Sequence, residues 1–262
     1  MSFRRDGKAI RRLTGAGLAA VAVVLVTLAY LAAWPVPAEP VAWVPPPSSG
    51  FAGDFAPNHE LTAAELLDAG GEGPEDVAVA PDGTLYTGLL DGRIMRLAPD
   101  GSPMPAPDSP WTTRSPTSSF VPVVETACYR VRRLWLRGPR QGASEVLLDG
   151  LPAFPDGITG DGAGTFWLAL VSPRNRLLDA LHPFPVFKKA LLRMPAALRP
   201  GPKRYGFVLA IDGDGRVIRN LQDPAGGTAA FVTNAVPHAE WLYLGMLHGR
   251  ALARLRLAGG GF

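Results

Sequence analysis

At 262 residues the chain holds one large domain or two small ones, and 47% apolar residues supply a sizeable core. The formal net charge of +3 comes from the first twelve residues, where Arg4, Arg5, Lys8, Arg11 and Arg12 face only Asp6; the remainder sums to about −1, which excludes the basic footprint that nucleic-acid binding requires. A single cysteine, Cys128, excludes an internal disulfide and any multi-cysteine zinc site.

Residues 1–12 read as a basic cytoplasmic tail. The next stretch, 13–34, "LTGAGLAAVAVVLVTLAYLAAW", runs 22 positions without a charge. As a helix it is long enough for a hydrocarbon core of roughly 30 Å. Basic residues before it keep the N-terminus cytoplasmic, so the expectation is a single-pass signal anchor with the rest of the chain periplasmic or extracellular. A cleaved signal peptide is the alternative, since Val36-Pro37-Ala38 loosely resembles a small-x-small cleavage site; the chain would then be secreted. Signal-peptide cores are usually about 7–15 residues, shorter than this one. Pro35, Pro37 and Pro40 end the helix, and 35–58 reads as a tether.

From residue 59 to the end the expectation is all-β. The 30 glycines and 27 prolines suit short strands joined by turns. Three stretches share one pattern of a polar residue, a strand, a tight turn and a second strand with an aromatic: "EDVAVAPDGTLYTG" from Glu75, "DGITGDGAGTFWLA" from Asp156 and "HAEWLYLG" from His238. Tyr86 and Trp167 each lie 11 residues after their carboxylate, whereas Tyr243 lies 5 after His238. Further strands are expected in "GRIMRLAPDG", "YRVRRLWL", "SEVLLDGL", "GFVLAIDGDGRVIRNL" and "GRALARLRL". Repeating units of roughly 40 residues suggest a β-propeller. Equivalent positions of innermost strands meet at a propeller's axis. Glu75 and Asp156 are therefore expected at one channel mouth, where hard oxygen ligands suit Ca²⁺; the plainer reading makes Asp156 a turn residue and Glu75 a strand cap.

"GPEDVAVAPDGTLYTGLLDGRIMRL", "GASEVLLDGLPAFPDGI", "RYGFVLAIDGDGRVIRNLQDP" and "HAEWLYLGMLHGRALARLRL" together resemble the strictosidine-synthase-like family, in the branch of the adipocyte plasma membrane-associated proteins. That branch carries a signal anchor before a six-bladed propeller and is related to calcium-dependent lactonases and arylesterases such as gluconolactonases and paraoxonases. The resemblance implies a six-bladed calcium-dependent lactonase fold and assigns Glu75 and Asp156 as metal ligands. It also implies a small-molecule lactone or ester as substrate.

The chain departs from the family in several places. Residues 102–122, "SPMPAPDSPWTTRSPTSSFVP", stand where relatives have further blades and read as a linker or deletion junction, leaving about four blades and an incomplete propeller. The only asparagines, Asn58, Asn175, Asn220 and Asn234, fall outside the matching motifs. His238 is a candidate general base, or a structural histidine. Strictosidine synthases carry their catalytic Glu where Pro237 stands, which speaks against that condensation. Residues 173–204 form a basic amphipathic insertion that touches anionic lipid or overhangs the channel mouth; the plainer reading is an insertion packed on the propeller face. Asp212-Gly213-Asp214-Gly215 is a hairpin turn rather than an EF-hand loop. Two functions therefore stand open: a membrane-anchored calcium-dependent hydrolase of lactones or esters, and a non-catalytic binding or scaffold propeller derived from one. The oligomeric state is not legible.

Overall fold

The computed structural model describes the backbone of residues 3–105 and 119–257, and side chains from residue 17 onward. The chain divides into two compact units, Met1–Val44 with Asn175–Gly201, and Pro45–Arg174 with Pro202–Phe262.

The first unit is helical. Helix α1 runs Phe3–Ala33, α2 Arg176–Leu181 and α3 Pro185–Arg193, followed by a 3₁₀ turn at Ala196–Leu198. Asn175 caps α2, its side chain accepting from the backbone N–H groups of Leu177 and Leu178. Pro185 opens α3, where its missing N–H costs nothing, and Pro195 follows its end. The span expected over 13–34 is met as a helix. Its first positions, 13–16, lie outside the described side chains. Among the described residues no helix is long and apolar enough to cross a membrane.

The second unit is built of fifteen described strands in four antiparallel sheets. Strands β2 Val77–Val79, β3 Leu85–Gly88, β4 Ile94–Leu97 and β5 Pro103–Met104 form the first sheet in sequence order. Among the described residues the second holds β6 Phe120–Glu125, β7 Arg130–Trp135 and β8 Ser144–Leu148. The third contains β9 Ala153–Gly160, β10 Phe166–Pro173, β11 Gly206–Ile211 and β12 Val217–Asp223. The fourth joins β13 Val232–His238, β14 Trp241–Met246 and β15 Ala251–Arg256 to β1 Glu65–Asp68, which pairs Glu65 with Arg254 and Asp68 with Ala251. The first strand thus completes the last sheet, and among the described residues the sheets do not close into a barrel.

Two expectations change here. The 102–122 segment is not strandless at its ends, because Pro103–Met104 forms β5 and β6 starts at Phe120; residues 106–118 of that segment lie outside the described residues. The third repeat, placed from His238, begins earlier: its first strand is β13, and His238 is that strand's last residue. The turn reading of Asp212–Gly215 holds, since the Asp212 carboxylate accepts from the N–H groups of Asp214 and Arg216 between β11 and β12.

Neighbouring sheets pack face to face through alternate apolar residues. One cluster joins the third and fourth sheets through Trp167, Val208, Leu221, Val232, Leu242 and Leu244. Another joins the fourth and first through Val77, Leu85, Leu97, Tyr243 and Leu252. This period-two packing brings the leading strands β2, β9 and β13 alongside one another.

Candidate functional site: an acidic pocket where three strands meet

The residues just before β2, the middle of β9 and the start of β13 line one pocket of about 300 Å³. Its walls are Glu75, Asp76, Asp156, Gly157, Ile158, Thr159, Thr233 and Asn234. Glu75 and Asp156 are 81 residues apart in sequence and are brought into it together.

Local backbone irregularity aims these side chains. β9 slips register against β10 between the pairs Leu168–Ile158 and Leu170–Pro155, so Asp156 and Gly157 form a bulge. β13 slips against β14 between Val232–Met246 and Asn234–Gly245, which bulges Thr233. A bulge turns a side chain away from its regular alternation, here toward the pocket. Two glycines permit the close approach. A Cβ on Gly157 would lie 2.4 Å from the Thr233 carbonyl oxygen, and one on Gly245 would lie 2.2 Å from that of Glu75.

Hydrogen bonds tie the three strands across the pocket. The Thr233 hydroxyl donates to the Glu75 carbonyl. The Asn234 amide donates to the Asp76 carboxylate, and its oxygen accepts from the Thr159 hydroxyl at 3.1 Å. Met246 N–H donates to the Pro74 carbonyl at 2.9 Å and fixes the loop that carries Glu75.

The pocket holds more negative charge than it neutralises. Glu75, Asp76 and Asp156 open to solvent, yet the surrounding walls displace enough water to raise the pKa of two of them. Asp156 is raised first by desolvation and then by the charge of Glu75. Asp76 is raised by desolvation, partly offset by the N–H of Val77. Such carboxylates hold protons more readily than ordinary ones, and a bound cation would relieve the penalty.

The donors fit a hard cation in kind, since carboxylate, amide and carbonyl oxygens are the ligands of Ca²⁺. They are fewer than a full shell. Among the described residues no group of three or more His, Cys, Asp or Glu is assembled to hold a metal ion. A cation between Glu75 and Asp156 therefore also needs the Asn234 oxygen, backbone carbonyls and water.

His238 is not brought here. It stands at the far end of β13 from Asn234, paired with Trp241, and its Nε2 lies 3.8 Å from the place of a Cβ on Gly83 in the β2–β3 turn. The residue β13 does contribute is Asn234, which the sequence reading set aside. Its signal was the polar residue at the head of "TNAVPH", one short hairpin before Tyr243.

A larger groove of about 610 Å³ adjoins the acidic pocket and shares Ile158 with it. Phe120, Val121 and Pro122 of β6 line one side, and Gly160 and Phe166 line the other. The groove lies beside the sheet that has three described strands where the others have four.

Comparison with known proteins supports the resemblance carried by "GPED" and its neighbours. Residues 53–97 match the family described as strictosidine synthase-like, N-terminal. The chain is 34% identical over 149 residues to the adipocyte plasma membrane-associated protein of Bos taurus, covering 55% of this chain and 36% of that protein. To the Homo sapiens protein of the same name it is 30% identical over 149 residues, again 55% and 36%. To the Arabidopsis thaliana protein named strictosidine synthase-like 10 it is 32% identical over 133 residues, 48% of this chain and 35% of that one. The matched stretch thus spans little more than a third of each of these relatives.

Proposed function

We propose, from the chain's kinship with the strictosidine-synthase-like family, that it is a membrane-anchored, calcium-binding propeller of the hydrolase type, incomplete at about four blades, that cleaves small lactones or esters. The single observation that carries this reading is the convergence of Glu75 and Asp156, with Asn234 beside them, on one oxygen-lined pocket. Glu75 and Asp156 would hold the cation and Asn234 would supply a neutral oxygen. When bound, Ca²⁺ polarises an ester or lactone carbonyl and lowers the pKa of water. The chain's own contribution is to place the substrate. The groove lined by Phe120, Ile158 and Phe166 takes the apolar part and presents the carbonyl to the acidic wall. No proton step runs through His238, which stands outside the pocket.

Anchoring rests on the N-terminal helix. Leu18, Val21, Val24, Leu25 and Leu28 on one side of α1 and Val23 and Val26 on the other are all exposed. An unbroken apolar surface around a helix is stable in lipid and not in water. The relatives named plasma membrane-associated point the same way.

A second reading, a binding or scaffold propeller without turnover, is favoured by one feature. The sheet with three described strands faces the groove with β6, where the other sheets offer β2, β9 and β13 to the acidic pocket.

Hydrolysis of phenyl acetate and of a γ-lactone by the full chain in detergent micelles separates the two. The hydrolase reading expects turnover that millimolar Ca²⁺ supports, that EGTA abolishes and that Asp156→Asn lowers at least 100-fold, the scale of removing a metal's charge stabilisation. Calcium binding without turnover of either substrate leaves the scaffold reading.

A further inference from the structure

We infer that the α2–α3 segment is a second membrane contact, an interfacial element that lies on a phospholipid surface bearing anionic headgroups at the level where α1 leaves the bilayer. The inference rests on the proposed insertion of α1 and extends it to a surface elsewhere in the chain.

The placement follows from how α3 is fastened to α1. The last carbonyls of a helix lack intrahelical partners and carry the negative end of its dipole. At the end of α1 those groups meet Arg193. Its guanidinium donates to the Leu31 carbonyl at 2.6 Å and also to the Trp34 carbonyl. The Tyr30 hydroxyl returns the contact by donating to the Arg193 carbonyl at 3.1 Å. Arg193 is buried in this arrangement. Lys189, one turn earlier on α3, pairs with Glu39 just beyond α1 at 2.7 Å. The indole N–H of Trp43 donates to Nδ1 of His182 at the end of α2 at 2.9 Å. These contacts fix α3 to the end of α1 and α2 to the stretch that follows it.

That end is where an aromatic belt belongs. Tyr30 and Trp34 pack ring against ring with centroids 5.6 Å apart, and amphipathic aromatics concentrate at the headgroup level. At about 1.5 Å rise per residue, Phe187 is within roughly 10 Å of Arg193 along α3. Phe187, with Val186 beside it, therefore lies near the same level.

Those side chains point outward without protein cover. Val186 is 70% exposed, Phe187 57%, Phe184 53% and Leu177 51%. Phe184 and Phe187 meet edge to face at 6.0 Å, a paired apolar wedge at the start of α3. Of the cations in the segment, Arg193 is buried on the end of α1 and Lys189 pairs with Glu39; Arg176 and Arg199 stand exposed, and the one acid between residues 173 and 204 is Asp179. Large apolar side chains flanked by cations suit the boundary between acyl chains and anionic headgroups. An apolar protein partner would satisfy the phenylalanines but not the excess of positive charge, and the segment is fastened to the element proposed to enter the bilayer. Both points select lipid.

The test uses the full chain reconstituted into phosphatidylcholine vesicles with and without phosphatidylserine. In a Cys128→Ser background, Phe187→Cys and, separately, Val24→Cys are labelled with an environment-sensitive fluorophore. Lipids carrying a nitroxide at a shallow or a deep acyl position act as quenchers. The expected result is at least twofold stronger quenching of the label at 187 by the shallow nitroxide than by the deep one. At position 24 the order reverses. Phosphatidylserine strengthens the shallow quenching at 187, and Phe184→Ser with Val186→Ser reduces it by about half or more. Quenching at 24 with none at 187 overturns the inference and leaves the anchor standing. No quenching at either position removes the anchor and the inference with it.

Discussion

Trp167→Ala destabilises the β-sheet unit by about 3–5 kcal/mol, the usual loss on truncating a buried tryptophan. Trp167 is 1% exposed and fills the space between the third and fourth sheets, against Val208, Val232 and Leu244. Whole domains are stable by about 5–15 kcal/mol, so the loss removes a large fraction of the total and is read directly as a lower unfolding midpoint. Trp167→Phe gives the contrast. The indole Nε1 is buried with no hydrogen-bond partner, and an unmade hydrogen bond in a core is unfavourable. Phenylalanine removes that N–H and a modest volume together, so its loss is expected below about 1.5 kcal/mol. Urea unfolding followed by tyrosine fluorescence and far-ultraviolet circular dichroism measures both. A Trp167→Ala variant as stable as the parent contradicts the packing of these two sheets.

Gly157→Ala is expected to cost about 1–3 kcal/mol, the range for inserting a methyl group into occupied space, and to damage the pocket as well as the fold. The added carbon meets the Thr233 carbonyl at 2.4 Å and the Asn234 Cα at 3.3 Å. Both neighbours are backbone, so β9 and β13 must separate, and the contact between Thr159 and Asn234 opens with them. Gly201→Ala serves as control, because a Cβ there meets nothing within 4 Å. The melting temperature is expected to fall by about 2–4 °C per kcal/mol for Gly157→Ala, with little change for the control. Equal behaviour of the two variants contradicts the close approach of β9 and β13.

The sequence made the hairpins β2–β3 and β9–β10 legible because their signals are local. Glu75 to Tyr86 and Asp156 to Trp167 keep the same spacing across turns rich in glycine. The matching residue of β13 was harder to see. Its hairpin turns through Ala239 and Glu240 alone, with Ala239 at φ 51°, so Tyr243 follows Asn234 by nine residues rather than 11. The shorter loop shifted the apparent register onto His238. Nor do the bulges at Asp156 and Thr233 leave a mark in the pattern, since they are set by contacts such as Gly157 against the Thr233 carbonyl. Strand β1 was invisible for a related reason. "ELLD" carries no alternation of its own and becomes a strand by pairing with β15, 189 residues away at Glu65 and Arg254.

The most direct test of a shared cation between Glu75 and Asp156 is the melting temperature of the full chain in detergent micelles, with Ca²⁺ and with EGTA. For an affinity in the range of extracellular calcium modules, Kd of about 10⁻⁴–10⁻³ M, 10 mM Ca²⁺ adds roughly 1.4–2.7 kcal/mol. The expected rise is about 3–10 °C, abolished by Glu75→Gln and by Asp156→Asn. The second variant carries its own signature. The folded pKa of Asp156 is raised, so its ionised form opposes folding, and stability falls as pH rises through that pKa. Without calcium, Asp156→Asn should therefore melt above the parent at pH 7, with the difference vanishing below the ordinary carboxylate range, where both side chains are neutral. A calcium-induced rise that both variants retain, or no rise in the parent at 10 mM Ca²⁺, contradicts a cation held between these two carboxylates.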